Sequence, residues 1–264
     1  MKIGFIGCGN MGSAMISGIL KKGLFDKEDI IVSHLTEEGC RRSREKLGVT
    51  AVLDNCEVAK KAQLLFLAVK PQFYEEVIKE IQGELTEAHI VVGIAPGKTL
   101  AWLEEMCGMP LKVVRMMPNT PAQVGEGMTG VCVNERVTEE DLKLICQITD
   151  SFGCTEVVPE RLMDAVGAVS GCSPAYVFMF IEAMADAAVA QGMPRKQAYN
   201  FAAQAVLGRA KMVLETGMHP GELKDMVCSP AGTTIEGVRI LERNGFRSAV
   251  FEALNGAAEK GKKF

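Results

Sequence analysis

The stretch Lys2-Ile-Gly-Phe-Ile-Gly-Cys-Gly-Asn-Met-Gly12 decides the fold of this chain. It reads as a short apolar strand, Ile3–Ile6, then a glycine-rich turn, then a helix Met11–Lys22 that ends at Gly23. The glycines are spaced G-x-G-x-x-G, in the strand–turn–helix context that a dinucleotide fingerprint requires. Gly7 permits the tight turn, Gly9 lets the backbone approach a pyrophosphate, and Gly12 lets helix and strand pack closely. Asn10 and Met11 open the helix whose N-terminus faces that anion.

Outward from this motif, strand-like and helix-like segments alternate to about residue 158. Strands are expected at Ile30–Ser33, Val49–Val52, Leu64–Val69, Ile90–Ile94, Lys112–Met116, Val131–Val133 and Thr155–Val158. Thr36 has the character of an N-cap, with Glu37 and Glu38 suited to the helix dipole. Further helices are expected from Pro71 to about Ile81 and over Thr138–Asp150. Continuous apolar strands such as Leu64–Val69 belong in a parallel sheet covered on both faces. From Pro159 the texture changes to Ala-, Met- and Leu-rich segments punctuated by Gly and Pro, with no strand pattern. The expectation is an α/β fold: a Rossmann-type dinucleotide-binding domain over 1–158, then an all-helical domain over 159–264. The helix Pro174–Gly192 is apolar around most of its circumference and has to be covered on all sides. A domain of this size struggles to provide that cover. A homodimer through these helices, open to further assembly of dimers, is therefore expected; the alternative is a monomer that packs the helix against its own Rossmann domain.

Bulk composition excludes several classes. The 264 residues are 48% hydrophobic and 23% charged, with net charge −4, so nothing points to a nucleic-acid partner. No uninterrupted apolar run reaches the length of a membrane span, and Ala183–Ala190, broken at Asp186, reads as a buried helix. Nine scattered cysteines without a C-x-x-C pair fit reduced thiols and a cytoplasmic protein. Three widely separated histidines give no case for a metal.

Three loops follow strand ends and are expected to line the cofactor crevice: Ala68-Val69-Lys70-Pro71, Ala95-Pro96-Gly97 and the Asn119-Thr120 pair between Pro118 and Pro121. At the tip of the second strand, Val32-Ser33-His34-Leu35-Thr36, no carboxylate stands ready for a ribose 2′-hydroxyl. Ser33 and Thr36, with Arg41, Arg42 or Arg44, would suit a 2′-phosphate. NADPH is favoured on this ground, with NADH usable.

The C-terminal region carries Leu223-Lys-Asp-Met-Val-Cys-Ser-Pro-Ala-Gly-Thr-Thr-Ile235. A helix stops, a Ser-Pro-Ala-Gly turn follows, and Thr233-Thr234 opens a new helix through Arg243. Backbone N–H groups and hydroxyls at a helix start suit a small carboxylate. Carbonyl reduction would need an acid near the substrate. His34 belongs to the adenosine end and His89 to the wrong edge of the sheet, while His219 and Tyr176 are equally readable as cap and core. A cyclic imine removes the need, because it is basic enough to be partly protonated near neutral pH.

Several blocks together resemble the pyrroline-5-carboxylate reductase family along nearly the whole chain. They are Ile6–Gly12, Leu67–Pro71, Arg115–Pro121, Asp164–Tyr176, Gly192–Arg195 and, most specifically, Leu223–Ile235. The resemblance implies reduction of (S)-1-pyrroline-5-carboxylate to L-proline by NAD(P)H on a Rossmann domain followed by a helical dimerisation domain. It implies that Thr234 contacts the ring nitrogen and that Ser229, Gly232 and Thr233 hold the carboxylate. It also implies cofactor contacts at Asn55 and Ser33. Two departures stand out. Cys172 replaces the second serine of the usual Ser-Gly-Ser-Gly-Pro-Ala, read against Ser170-Gly-Cys-Ser-Pro-Ala175. Ala231 replaces the first glycine of Ser-Pro-Gly-Gly-Thr-Thr, so position 231 is expected not to require a positive φ. The alternatives are another imine reductase or a β-hydroxyacid dehydrogenase on the same scaffold. The latter carries a lysine in the first long helix, and Ser170–Gly192 has none. A non-catalytic NAD(P)H sensor would need a partner-binding module that the sequence does not display.

Overall fold

The computed structural model describes residues 1–262. Contacts divide the chain into two units, Met1–Gly171 with the described residues from Ala257, and Cys172–Gly256.

The first unit is built on an eight-stranded sheet. In chain order its elements are β1 (Ile3–Ile6), α1 (Asn10–Lys21), β2 (Ile30–Ser33), α2 (Glu37–Leu47), β3 (Thr50–Val52) and α3 (Asn55–Lys61). There follow β4 (Leu64–Leu67), α4 (Tyr74–Ile81), β5 (Ile90–Gly93), α5 (Leu100–Cys107), β6 (Lys112–Met117), β7 (Gly127–Val133), α6 (Glu139–Thr149), β8 (Gly153–Val157) and α7 (Met163–Val166). The spatial order is β3-β2-β1-β4-β5-β6-β7-β8. The first six strands run parallel, β7 turns antiparallel to β6, and β8 runs parallel to β7. The order reverses between β1 and β4, which opens a crevice at their carboxyl ends.

Alternation along the strands builds two cores. Ile3, Phe5, Leu64 and Phe66 pack under α1, α2 and α6, and Phe5 stacks on Phe66 at 4.7 Å between ring centroids. Ile6, Leu65, Leu67 and Val91 pack under α3, α4 and α5. Local signals set the helix ends. The Thr36 hydroxyl accepts from the Gly39 N–H, and Thr138 forms a reciprocal capping box with Asp141. Helix α5 escapes sequence reading because it has only eight residues, yet both its ends are marked: Thr99 accepts from the Trp102 N–H, and Gly108 closes it at φ 69°.

The second unit is helical: α8 (Ser173–Ala190), α9 (Arg195–Thr216), α10 (Pro220–Met226), α11 (Thr233–Arg243) and α12 (Phe246–Gly261), the last running on into the residues grouped with the first unit. A π-helical stretch, Gly167–Cys172, leads into α8. Its core is three alanines, Ala185, Ala198 and Ala202, where α8 and α9 cross. The expectation of a buried apolar helix is corrected within this chain. Among the described residues of α8, Ala185 alone is buried, and Phe178, Met179 and Phe180 are exposed. The helical run Glu160–Ala190 is also long and apolar enough by composition to cross a membrane, with a mean hydropathy of 1.3 over its most apolar window. The charges at Glu182 and Asp186 hide this from a search for uninterrupted apolar runs.

Candidate functional site

A cleft of about 760 Å³ opens where β1 meets α1. Gly7 has φ +82°, and a Cβ there would lie 2.8 Å from Val69 Cγ1 and 3.0 Å from the Ala68 carbonyl oxygen. Only glycine fits that turn. Gly9 has an ordinary φ of −78° and caps α1 with no side-chain hydrogen bond, and nothing lies within 4 Å of a Cβ built on it. The first N–H groups of α1 are thus left for a ligand, with bare backbone beside them. A Cβ at Gly12 would lie 3.3 Å from the Gly7 carbonyl oxygen and 3.7 Å from Ala68 Cβ, so the missing side chain leaves room for close packing there. Of the expected cofactor residues, Gly7, Gly9, Asn10, Ala68, Val69 and Lys70 come together as lining of this cleft. Gly12 and Met11 support it from behind, Met11 packing on the core.

The cleft continues between α1 and α2. Ser13, Ala14 and Ser17 form one wall and Gly39, Arg42, Ser43 and Lys46 the other. Arg42, Lys46 and Lys70 bring positive charge, and no carboxylate is among the described residues lining it. Arg44, one of the three arginines considered, is committed elsewhere: it donates to Glu37 at 2.7 Å and to the Ala51 carbonyl at 2.8 Å. That pairing also holds Glu37 in place. Arg42 pairs with Glu38 across 3.9 Å in solvent, a contact worth little. Arg41 is exposed and absent from the lining. Ser33 is buried, and its hydroxyl accepts from the Gly7 N–H at 3.3 Å, so it sits beneath the turn instead of facing the cleft. His34 faces the cleft and shares a 2.8 Å hydrogen bond with Ser43. Burial, and next the Arg42 charge, hold its pKa below the ordinary histidine value, which keeps the ring neutral at pH 7. Sequence reading missed Lys46 and Ser43. Their signal is the spacing Gly39, Arg42/Ser43, Lys46, one face of a helix.

The other expected loop residues lie around the carboxyl edge without lining the cleft. Pro71 starts the turn into α4, and the Ala95 N–H donates to the Tyr74 hydroxyl at 3.1 Å. Asn119 is buried with both ends of its amide engaged, donating to the Ser170 carbonyl at 2.9 Å and accepting from the Met128 N–H at 2.8 Å. Asn55 donates to Glu80 at 2.7 Å. Its neighbours Asp54 and Cys56, with Glu80, place possible ligand atoms within 4.8 Å of one another. Burial, then the Asp54 charge, push the Cys56 thiol up and keep it protonated, and it donates to the Glu80 carbonyl at 3.3 Å. Two buried features had no sequence signal. Tyr74 is one. The other is Arg115, fully enclosed on β6, paired with Glu160 at 3.2 Å and Asp164 at 3.6 Å.

In the second unit, α10 is capped by His219, whose Nδ1 accepts from the Gly221 N–H. The chain then turns at Ser229-Pro-Ala-Gly232, closed by the Gly232 N–H on the Ser229 carbonyl at 3.0 Å. Ala231 sits at φ 54°, in the left-handed region. The expectation that position 231 needs no positive φ is therefore wrong. Proline second and a left-handed residue third is the arrangement of a type II turn, which demands positive φ whichever residue stands there. The N-cap of α11 is Gly232, with no capping side chain, and the N–H groups of the first turn point outward without one. Thr233 and Thr234 follow, both exposed. The loop thus collects Ser229, Gly232, Thr233 and Thr234 at one uncapped helix start.

This chain is 52% identical over 262 residues to the pyrroline-5-carboxylate reductase of Escherichia coli (strain K12), covering 99% of this chain and 97% of the relative. The chain belongs to the pyrroline-5-carboxylate reductase family. The pyrroline-5-carboxylate reductase of Methanosarcina acetivorans is 47% identical over the same share of both chains. A crystal structure of the Plasmodium falciparum pyrroline carboxylate reductase with NADP bound superposes with a TM-score of 0.91 at 35% identity, covering 100% of this chain and 97% of that one. The family model for pyrroline-5-carboxylate reductase dimerisation matches residues 160–264, and that for F420-dependent NADP oxidoreductases matches residues 2–97. In this reductase, the region matched as dimerisation contains both the exposed apolar face of α8 and the turn before α11.

Proposed function

We propose that this chain reduces (S)-1-pyrroline-5-carboxylate to L-proline, with NADPH preferred over NADH, as a cytoplasmic homodimer formed through its helical region. In this division of labour residues 1–158 hold the dinucleotide and residues 159–264 hold the substrate and the partner copy. The observation that carries the reading is the acid-free cleft at the Gly7–Gly12 turn, in a chain half identical to reductases of this name.

The residues present fit a nicotinamide dinucleotide. A pyrophosphate meets bare backbone at Gly9 and the N-terminus of α1, and a 2′-phosphate meets Arg42 and Lys46. When bound, the dinucleotide supplies a hydride. Gly7, Gly9, Asn10, Ala68, Val69 and Lys70 hold it, Gly12, Met11 and Pro71 shape the turns, and Ser33, Asn55, Ala95 and Asn119 act from behind the lining. At α11, the free N–H groups of the first turn, with Ser229, Gly232 and Thr233, hold the carboxylate. The Thr234 hydroxyl orients the ring nitrogen. A protonated cyclic imine needs no strong general acid, so the protein's work is positioning and exclusion of water. Nine unpaired thiols fit a reducing compartment.

The test is oxidation of NADPH by the purified chain with pyrroline-5-carboxylate, against a glyoxylate-type ketoacid. Turnover of the imine with proline as product is expected. Turnover of the ketoacid alone would replace this reading with the hydroxyacid one.

A further inference from the structure

Tyr74 is wholly enclosed at the start of α4, yet its hydroxyl serves no helix cap. It donates to the Leu67 carbonyl at 2.5 Å and accepts from the N–H groups of Ile94 at 2.9 Å and Ala95 at 3.1 Å. The β4–β5 ladder ends at the pair Leu67–Gly93. The phenol therefore stands where the next rung would be and ties the two strands together just as they part. Burial pushes its pKa well up, so it stays a neutral donor throughout the working pH range. Past Leu67 the chain runs through Ala68 and Val69, whose atoms occupy the space a Cβ at Gly7 would need. Past Gly93 it runs into Ala95-Pro96-Gly97, with Gly97 at φ +75°.

In this strand order, one mononucleotide lies on the β1–β3 half of the sheet and the other on the β4–β6 half. The adenosine end belongs to the β2 tip, and the nicotinamide end to the half that Tyr74 clasps. We propose that Tyr74 is a positioning residue for the nicotinamide half of the cofactor, acting by fixing the separation of the loops after β4 and β5. The inference rests on the dinucleotide reading given above.

The test separates the two halves of the ligand. Binding of NADP⁺ and of 2′,5′-ADP, which carries the adenosine end alone, is measured by calorimetry on the full chain and on Tyr74→Phe. The variant strands two N–H donors and one carbonyl, so the loops shift to find other partners. NADP⁺ is expected to weaken roughly tenfold while 2′,5′-ADP changes by less than about twofold. Hydride transfer in a single turnover should slow as well. 3-Fluorotyrosine at position 74 keeps the hydroxyl and should restore both. A backbone ester at Ala95 removes one N–H donor with Tyr74 intact, and should reproduce the split at smaller size even if the phenylalanine variant does not fold. Equal weakening of both ligands, or none, would overturn the proposal, since a merely structural role cannot favour one half. Failure of the unmodified chain to reduce pyrroline-5-carboxylate would instead strike the functional reading, and the binding split would still judge Tyr74.

Discussion

Phe5 and Phe66 stack in the first unit with no exposed surface, whereas Phe178 and Met179 on α8 leave 64% and 68% of theirs open. Both pairs are large and apolar, and they sit in units that solve the burial problem differently. The first unit has a sheet with helices on both faces, and two cores fill it. The second has a core of three alanines. Small residues let α8 and α9 approach closely; Ile181, Met184 and Val189 pack against them, while Phe178, Met179 and Phe180 are left open. A helix with that much open apolar surface is stable in water only when something covers it. The dimerisation match over 160–264 names the kind of cover. One unit thus encloses its large apolar side chains, and the other leaves several of them open in the region that the dimerisation model matches.

The largest expected effect breaks this contrast directly. Phe178→Asp places a charge on the open face of α8. In a two-fold interface each change appears twice. An unpaired charge buried in both copies should weaken the dimer by at least about 4 kcal/mol, roughly a thousandfold in dissociation constant. Light scattering coupled to size exclusion should show monomer, with activity lost alongside. Phe66→Ala, by comparison, should lower melting temperature without changing the subunit count of the folded fraction. A Phe178→Asp protein that stays dimeric and active would mean that the open face is not the interface.

The next effect concerns the cleft. Gly7 and Gly9 are both glycines of one motif, but only Gly7 needs its backbone freedom. Gly9→Val meets open space in the free protein and should fold with a normal melting temperature. Its side chain fills the approach to the pyrophosphate, so NADPH affinity should fall by roughly a hundredfold, about 2.7 kcal/mol. Gly7→Ala should instead fail at folding. Unchanged NADPH affinity in folded Gly9→Val would remove the cofactor from this turn.

Thr234→Ala sharpens the other unit. Gly232, not Thr234, caps α11, so the substitution should leave stability nearly unchanged. Loss of one orienting hydrogen bond should cut kcat/KM by roughly ten- to a hundredfold, about 1.4–2.7 kcal/mol. Thr234→Ser should keep most activity. A large fall in melting temperature with normal turnover would make the residue structural.

A smaller effect concerns cofactor choice. Arg42→Ala with Lys46→Ala should lower the preference for NADPH over NADH by roughly tenfold in kcat/KM, because each exposed cation contributes a modest share. An unchanged ratio would place the selection elsewhere on the β2 edge.

How much of this was legible before the structure differs between the units. The Gly7–Gly12 turn, the buried strands and the helical second half carry local signals, and short-range chemistry is what a sequence displays. The cleft's α2 wall is encoded as a helical face, but the sequence does not say that α1 lies opposite. Ser33 looked like a ligand because it ends a strand, and the fold turned it under Gly7. Asn119 looked free and rigid, and the fold spent both ends of its amide on Ser170 and Met128. Tyr74 and Arg115 had no visible role: two of the three Tyr74 partners lie 20 and 21 residues away, and Arg115 pairs with Glu160, 45 residues away. Long-range pairing is set by topology, which no local pattern carries.

Ala231 is the one place where the local reading was wrong in sign, and it yields the smallest and most exact test. An alanine at this position argues, from sequence alone, for a turn that avoids positive φ. The turn kept its geometry, with Pro230 second and residue 231 at φ 54°. A left-handed alanine costs about 1 kcal/mol or somewhat more. Replacing it with glycine relieves that strain but adds freedom to the unfolded chain, which costs about 0.5–1 kcal/mol. Ala231→Gly should therefore stabilise by no more than about 0.5–1 kcal/mol, a rise of roughly 1–3 °C in melting temperature for a chain of this size. Ala231→Val, β-branched at the same φ, should move it the other way by a larger amount. Substrate kinetics should follow the same order only in the valine variant, since glycine can keep the turn that leads into Thr233 and Thr234. A glycine variant that melts lower, beside a valine variant that melts normally, would show that residue 231 is not left-handed in solution, and the loop before α11 would then need a different backbone from the one described.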